Sequence, residues 1–451
     1  MIPLHNAKLE DLETKTLDDQ ISNAGPLRLE DLELTEPEST LLNEALVHTI
    51  LSIIVKHGGE GFEKWSDDLT NSQPHSADTI EVHQTPIHPL PAMEIDESTI
   101  TGNVEIIEAI EDELHPNSGY KSLPEIIKII AGDQLTIARQ RSILNIRVGH
   151  EDGADSWKHI VLMPGLFHAK IADCHGLLTV HFGKSSTRSP GSLAFHNTCL
   201  DRIPILLTSL PSFRVCRDLI MVSLYARVLH LLLQVSNSNS IEEYLTRYTS
   251  WSDLQSHAKR ILQCYADADR VQELRQPRER AKHQRLAKLK AEQEATKSQI
   301  AAARKRQTQP PPSLPTVQVA TTAPASAPTP VQNGLKEEDK GDMVFENAVL
   351  FLRDALLTRL FADAVKAGDS GLIILVLKMW TFAYRGSGRS KYAHEMLHLF
   401  HNLVNVWSKG LRYVVFHLFE SQTISSDIYF IQKCYNSKLV TQSDRKTEFF
   451  C

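Results

Sequence analysis

Six cysteines in 451 residues, none spaced as Cys-x-x-Cys, leave no disulfide framework and no thiolate zinc site to read. They are expected as reduced thiols inside a cell. Long apolar runs are also missing: no stretch reaches about 18 uncharged residues, the length a membrane span needs. The nearest, 219–235, contains Arg227 and His230 and reads as a core helix. The first ten residues have neither a basic start nor a long apolar stretch, so no signal peptide is read. Glycines do not assemble a phosphate loop either. Gly183-Lys184-Ser185 ends like one, but the nearest upstream glycine, Gly176, leaves six intervening residues where the loop has four. These absences exclude a secreted, membrane-spanning or P-loop protein and set the expectation of an intracellular one.

What is present is unevenly distributed. Residues 1–120 carry 25 acidic and 5 basic side chains, a net of −20, so the other 331 residues carry +13 within a total of −7. Such asymmetry fits a polyanion-binding part beside an acidic arm, and equally an acidic arm beside an ordinary basic surface. Residues 1–40 are acidic and poor in aromatics and are expected to be a disordered arm. From Arg270 to Arg306 there are 12 basic and 4 acidic residues. The stretch 270–306 reads as an exposed basic helix, broken near its start by Pro277. Residues 307–342, with seven prolines between Pro310 and Pro330, read as a disordered linker.

Between these segments the pattern alternates. Leu42, Ala45, Leu46, Ile50, Ile53 and Ile54 have helical spacing. A strand at 91–95, a helix at 101–113 and a β-branched strand at 126–130 predict a right-handed parallel crossover, with Asp96 and Asp133 ending adjacent strands. A further strand at 159–163 leads through Pro164-Gly165 to His168. Residues 200–268 and 343–411 read as largely apolar helices, and 412–451 as a divergent tail. The fold class expected is an α/β core, with a short parallel or mixed sheet, beside a large helical part.

Two Gly-Asp signatures stand at the edges of regular structure: Ile130-Ala-Gly-Asp-Gln-Leu-Thr136 and Ala367-Gly-Asp-Ser-Gly371. Asp133 and Asp369 have two readings there. A carboxylate at such a place binds metal, or it caps the helix that follows by accepting orphan backbone N–H groups. His394-Glu395-Met-Leu-His398 matches H-E-x-x-H, which puts two imidazoles on one helix face for zinc with the Glu as base. A third ligand is not evident, since the extended motif needs glycine where His401 stands, and a chance match among 20 histidines is the competing reading. The basic helix offers Arg278, Arg280, Lys282, Arg285, Lys288, Lys290, Arg304, Lys305 and Arg306 to phosphates, the last three also reading as a nuclear address. A solvated charged helix is the alternative. Few aromatics interleave, so base stacking is not indicated.

Several blocks in fixed order resemble a family expanded in mushroom-type fungi and known as a domain of unknown function. They are residues 90–98 (Leu-Pro-Ala-Met-Glu-Ile-Asp-Glu-Ser), Gly132-Asp-Gln134 and 163–170 (Met-Pro-Gly-Leu-Phe-His-Ala-Lys). Pro190-Gly-Ser-Leu193, Cys216-Arg-Asp-Leu219, Gly368-Asp-Ser-Gly371 and Tyr392-Ala-His-Glu395 continue the order. The resemblance runs from about residue 41 to about 407, and by comparison with relatives the chain reads as incomplete at both ends. The layout of relatives is similar to RNase-H-like transposase cores, in which carboxylates hold two metal ions. On that analogy Asp133 is the second acid, Glu395 or Asp369 the third, and Asp96 a substitute for the first. The resemblance therefore implies a transposon-derived, nucleic-acid-associated protein, non-catalytic in this copy. The alternatives are a divalent-metal nuclease using Asp133, a zinc hydrolase using His394, Glu395 and His398, and a non-enzymatic interaction protein.

Overall fold

A computed structural model describes residues 8–80, 88–114, 126–147, 156–184, 189–209, 211–307 and 341–424. The chain is mainly helical with a small parallel sheet. Its elements run α1 (Thr14–Asn23), α2 (Glu36–His57), α3 (Ser66–Asn71), α4 (Ile100–Leu114), β1 (Lys128–Gly132), α5 (Gln134–Ile146) and β2 (Ile160–Pro164). Then come α6 (Leu166–His181), α7 (Leu193–Cys199), α8 (Phe213–Ser236), α9 (Ile241–Arg247) and α10 (Trp251–Tyr265). The series ends with α11 (Ala268–Gln307), α12 (Met343–Ala367), α13 (Ser370–Gly386), α14 (Ser390–His401) and α15 (Lys409–Ile424). Two compact units result, one of residues 1–265 with 351–451, the other of residues 266–350.

In the larger unit α2 is a core helix. Thr35 and Glu38 close a capping box at its start, with Thr35 N donating to Glu38 Oε2 at 2.8 Å, and Lys56 and His57 stand in its last turn. Ile50, Ile53 and Ile54 are fully buried, and α2 packs on α8 and α10. α6 packs on α8 and α13. By length and composition alone Leu29–His57 and Phe213–Ser236 could cross a membrane, but about half of each lies packed inside the protein, as in a core helix.

The strands at 126–130 and 159–163 are present and pair in parallel, from Lys128 beside Ile160 to Gly132 beside Pro164. Their crossover is α5. The strand expected at 91–95 is not formed, so Asp96 ends no strand and the 101–113 helix, present as α4, joins no parallel pair. Instead α4 packs on α5, and Ile107, Ile143, Trp157 and Ile160 make a local apolar cluster. Glu111 ties α4 to the sheet, with Lys128 Nζ donating at 3.0 Å and His159 Nε2 at 2.7 Å. Burial works to raise the Glu111 carboxyl. The hydrogen bonds with His159 and Lys128 outweigh it and hold the group below its ordinary range.

Other expectations shift. Residues 8–40 hold α1 and short helical turns, and bury Leu12, Leu17 and Leu32, where an unstructured arm was expected. α15 stands where the divergent tail was expected to begin, with Val414 and Val415 buried. Pro277 lies inside α11 and does not break it. The Pro-rich segment 308–340 and residues 425–451 lie outside the described residues. In the smaller unit Glu346, 3% exposed, takes Arg275 Nε at 2.7 Å and a short bond from Arg278 Nη2.

Within the larger unit Asp173 of α6 is buried and accepts the Thr358 hydroxyl of α12 at 2.6 Å. Burial pushes its carboxyl up to about 8; the Thr358 bond opposes this and Asp354 adds to it. The folded chain thus keeps a proton that the unfolded chain gives up near the ordinary value of 3.8. The folded state binds more protons in that window, so stability falls as pH rises from about 4 to about 8. Asp173→Asn should flatten this slope. Thermal melts across the window, wild type against variant, are the measurement; parallel pH profiles would show that Asp173 is ionised in the fold.

Candidate functional site

Each Gly-Asp signature places an Asp cap at the start of a helix. At the second, Gly368 ends α12 at φ +70°, a conformation that L side chains rarely adopt. Asp369 then caps α13, accepting Leu372 N at 2.9 Å. Its carboxylate, fully buried, also accepts Ser76 N at 2.8 Å and Ser76 Oγ at 2.5 Å. Ile80 N donates to Gly368 O at 2.7 Å, fastening residues 76–80 along the turn. A Cβ at Gly371 would stand 2.3 Å from Ser76 Oγ, so glycine there makes room for the docked serine. Asp369 is thereby a cap and a latch.

Asp133 ends β1 and caps α5, accepting Thr136 N at 2.7 Å. Next to it β2 ends at Pro164-Gly165, and Gly165 N donates to Gly132 O at 2.7 Å. A Cβ on Gly165 would meet that carbonyl at 3.1 Å. This is the carboxyl edge of a parallel pair, the side on which open α/β sheets bind ligands.

Three side chains feel the Asp133 charge. Burial raises the Glu97 carboxyl, Asp133 raises it further, and Arg139 opposes them. Glu97 Oε2 is buried without a hydrogen-bond partner. Burial lowers His168, with Asp133 acting against it. Burial raises Tyr392, with Asp133 next and Glu395 adding. Glu97, Asp133, His168 and Tyr392 each come from one of the sequence blocks that carry the family resemblance, and Glu97 and Tyr392 were not foreseen as site residues. The signal was those blocks themselves; single-residue chemistry gave none.

The other candidate groups do not join them. Asp96 is exposed and turns its carboxylate to Ser98 N at 2.9 Å, whose hydrogen bonds hold it low. Glu395, 3% exposed, forms a two-pronged pair with Arg141 of α5, Nη1 to Oε1 at 2.9 Å and Nη2 to Oε2 at 2.6 Å. Ala393, Met396, Leu399, Phe400 and Leu403 are buried along the same stretch, with His394, Leu397 and His398 exposed. The H-E-x-x-H glutamate therefore faces inward while its histidines face outward. Among the described residues no group of three or more His, Cys, Asp or Glu side chains could hold a metal ion. Asp133, Asp369 and Glu395 have different partners, so the described residues do not bring these three acids together as one group.

On the basic helix α11, Arg280, Lys282, Lys288 and Lys290 are exposed, whereas Arg278 is committed to Glu346. The side chains of Arg304, Lys305 and Arg306 lie outside the described residues.

The chain belongs to the Family of unknown function (DUF6589), whose model matches residues 22–419. The match begins before and ends after the 41–407 stretch read from motifs. No curated protein matches the chain, and no solved structure does.

The Arg141–Glu395 pair joins α5 to α14 with the glutamate buried and the arginine half-buried, so losing one partner strands the other. Glu395→Gln should cost about 3–5 kcal/mol. His394→Ala, on the exposed face, should stay within about 0.5 kcal/mol. Denaturant unfolding checks both; equal effects would show that the pair carries no special weight.

Proposed function

We propose that this member of the family is a nucleic-acid-associated protein, derived from a transposase-like ancestor and working without catalysis in this copy. One observation carries the reading. α11 spans 40 residues, and from residue 282 to 302 every residue is exposed. A helix exposed over that length among the described residues is not kept for the core, and its charge is suited to phosphates. Asp133 at the carboxyl edge of the parallel pair β1–β2 supports the transposase-like descent by analogy of layout alone.

A second reading, an enzyme acting at the carboxyl edge of β1 and β2, is favoured by the orphan Glu97 Oε2 beside Asp133. A protonated Glu97 there would serve as a general acid. Carbon-detected NMR titration tests it: Glu97 should hold its proton above the ordinary carboxylate range, and Asp133→Asn should bring it down. An ordinary Glu97 titration sinks that reading.

For the leading reading, affinity for a mixed-sequence oligonucleotide should fall steeply with salt and vary little with sequence. Lys282→Gln, Lys288→Gln, Lys290→Gln and Lys297→Gln together should reduce the slope of log affinity against log salt by roughly three to four units, one per lost phosphate contact. Fluorescence anisotropy from 50 to 200 mM salt is the measurement. Absence of binding at low salt, or an unchanged slope in the variant, overturns the proposal.

A further inference from the structure

Resting on that reading, we infer that α11 binds duplex DNA by entering the major groove, and that its partner is neither a single strand nor double-stranded RNA. Three observations converge.

The first is composition. Residues 268–307 contain no Phe, Tyr or Trp. Single-strand binders combine a cationic track with aromatic platforms on which bases stack. α11 supplies the charge without the platform, so it has phosphates to hold and nothing to hold unpaired bases with.

The second is the distribution of charge around the helix. Arg280, Lys282, Lys288, Lys290 and Lys297 are all exposed. At 3.6 residues per turn Lys288 and Lys297 point about 180° apart, and Lys282 and Lys288 about 120° apart. A helix lying on a flat polyanionic surface uses one side only. A helix in a groove has phosphates on both flanks, and charge on opposite sides is what that setting needs. Leu286, Leu289 and Ile300 are exposed, but Gln293, Thr296 and Lys297 interrupt them. No continuous apolar face exists for a bilayer.

The third is size. The exposed run 282–302 would extend about 30 Å as a helix, close to one turn of B-form DNA. The B-form major groove, about 12 Å wide, admits a helix, while the A-form groove of double-stranded RNA is deep and too narrow. The short side chains of Ala281, Ala287, Ala291 and Ala295 let the backbone approach the groove floor closely.

The experiment uses the full chain with 20-base-pair duplex DNA, the matching single strand and the matching RNA duplex, at equal salt. Duplex DNA should bind at least tenfold more tightly than either. Two double variants then read the geometry: Arg280→Gln with Lys288→Gln, and Lys290→Gln with Lys297→Gln. Each should lower the salt slope for duplex DNA by about two units, with melting temperatures unchanged. Single strands or RNA duplexes bound as tightly as DNA duplexes would overturn the groove assignment and leave the phosphate-binding reading standing. A slope change in only one double variant would likewise overturn it, since one face alone would then be in use. No binding to any of the three overturns the underlying reading itself.

Discussion

One buried carboxylate holds much of the larger unit in register. Asp369 has no solvent to share its charge, and a buried charge is tolerated only when every lone pair is answered. The answers come from Leu372 N at the start of α13 and from both the amide and the hydroxyl of Ser76. These cannot be met piecemeal. Gly368 must turn left-handed to aim the carboxylate, and Gly371 must lack a Cβ for Ser76 to arrive. α13 then carries α14 against it, α14 presents Glu395 to Arg141, and Arg141 sits on the helix that follows β1. The strand edge is thus placed, through three packed helices, by a latch that begins at residue 76.

The same chemistry separates the acids that the sequence suggests as a set. A two-metal site needs carboxylates with lone pairs facing a shared space. Asp369 spends its lone pairs on amides and a hydroxyl, and Glu395 spends both oxygens on one guanidinium. Asp133 differs. Its cap uses Oδ1, and its charge still reaches Glu97, His168 and Tyr392. The strand edge thus gathers several polar groups around one carboxylate, while Asp369 and Glu395 are held in structural bonds elsewhere.

Much of this was legible in the sequence where a local rule governs. The β-branched run before Gly132, the Leu and Ile spacing of α2 and the cap chemistry of Asp133 follow from short-range sterics and hydrogen bonding. The strand expected at 91–95 failed because strand propensity holds only where a neighbour completes the ladder, and the neighbour of β1 is β2. Residues 8–40 looked disordered by composition, yet three leucines there reach the core, a long-range contact that no local window registers. Glu97 and Ser76 were invisible as site residues because their roles arise from partners 36 and 293 positions away.

α11 raises the opposite question, why a helix that buries so little is formed. Its exposed part is rich in Ala, Lys, Arg, Gln and Glu, all strong helix formers, so propensity replaces packing. Its base is fixed by Glu346, which gathers Arg275 and Arg278 inside the smaller unit. Beyond that anchor cationic side chains outnumber acidic ones and repel one another, which weakens an isolated helix. On the proposed reading a bound polyanion would relieve that repulsion, so binding and helix stability would reinforce each other. Arg278 illustrates the division of labour: the sequence groups it with the basic residues proposed to meet phosphate, and the structure pairs it with Glu346 at the base of the helix.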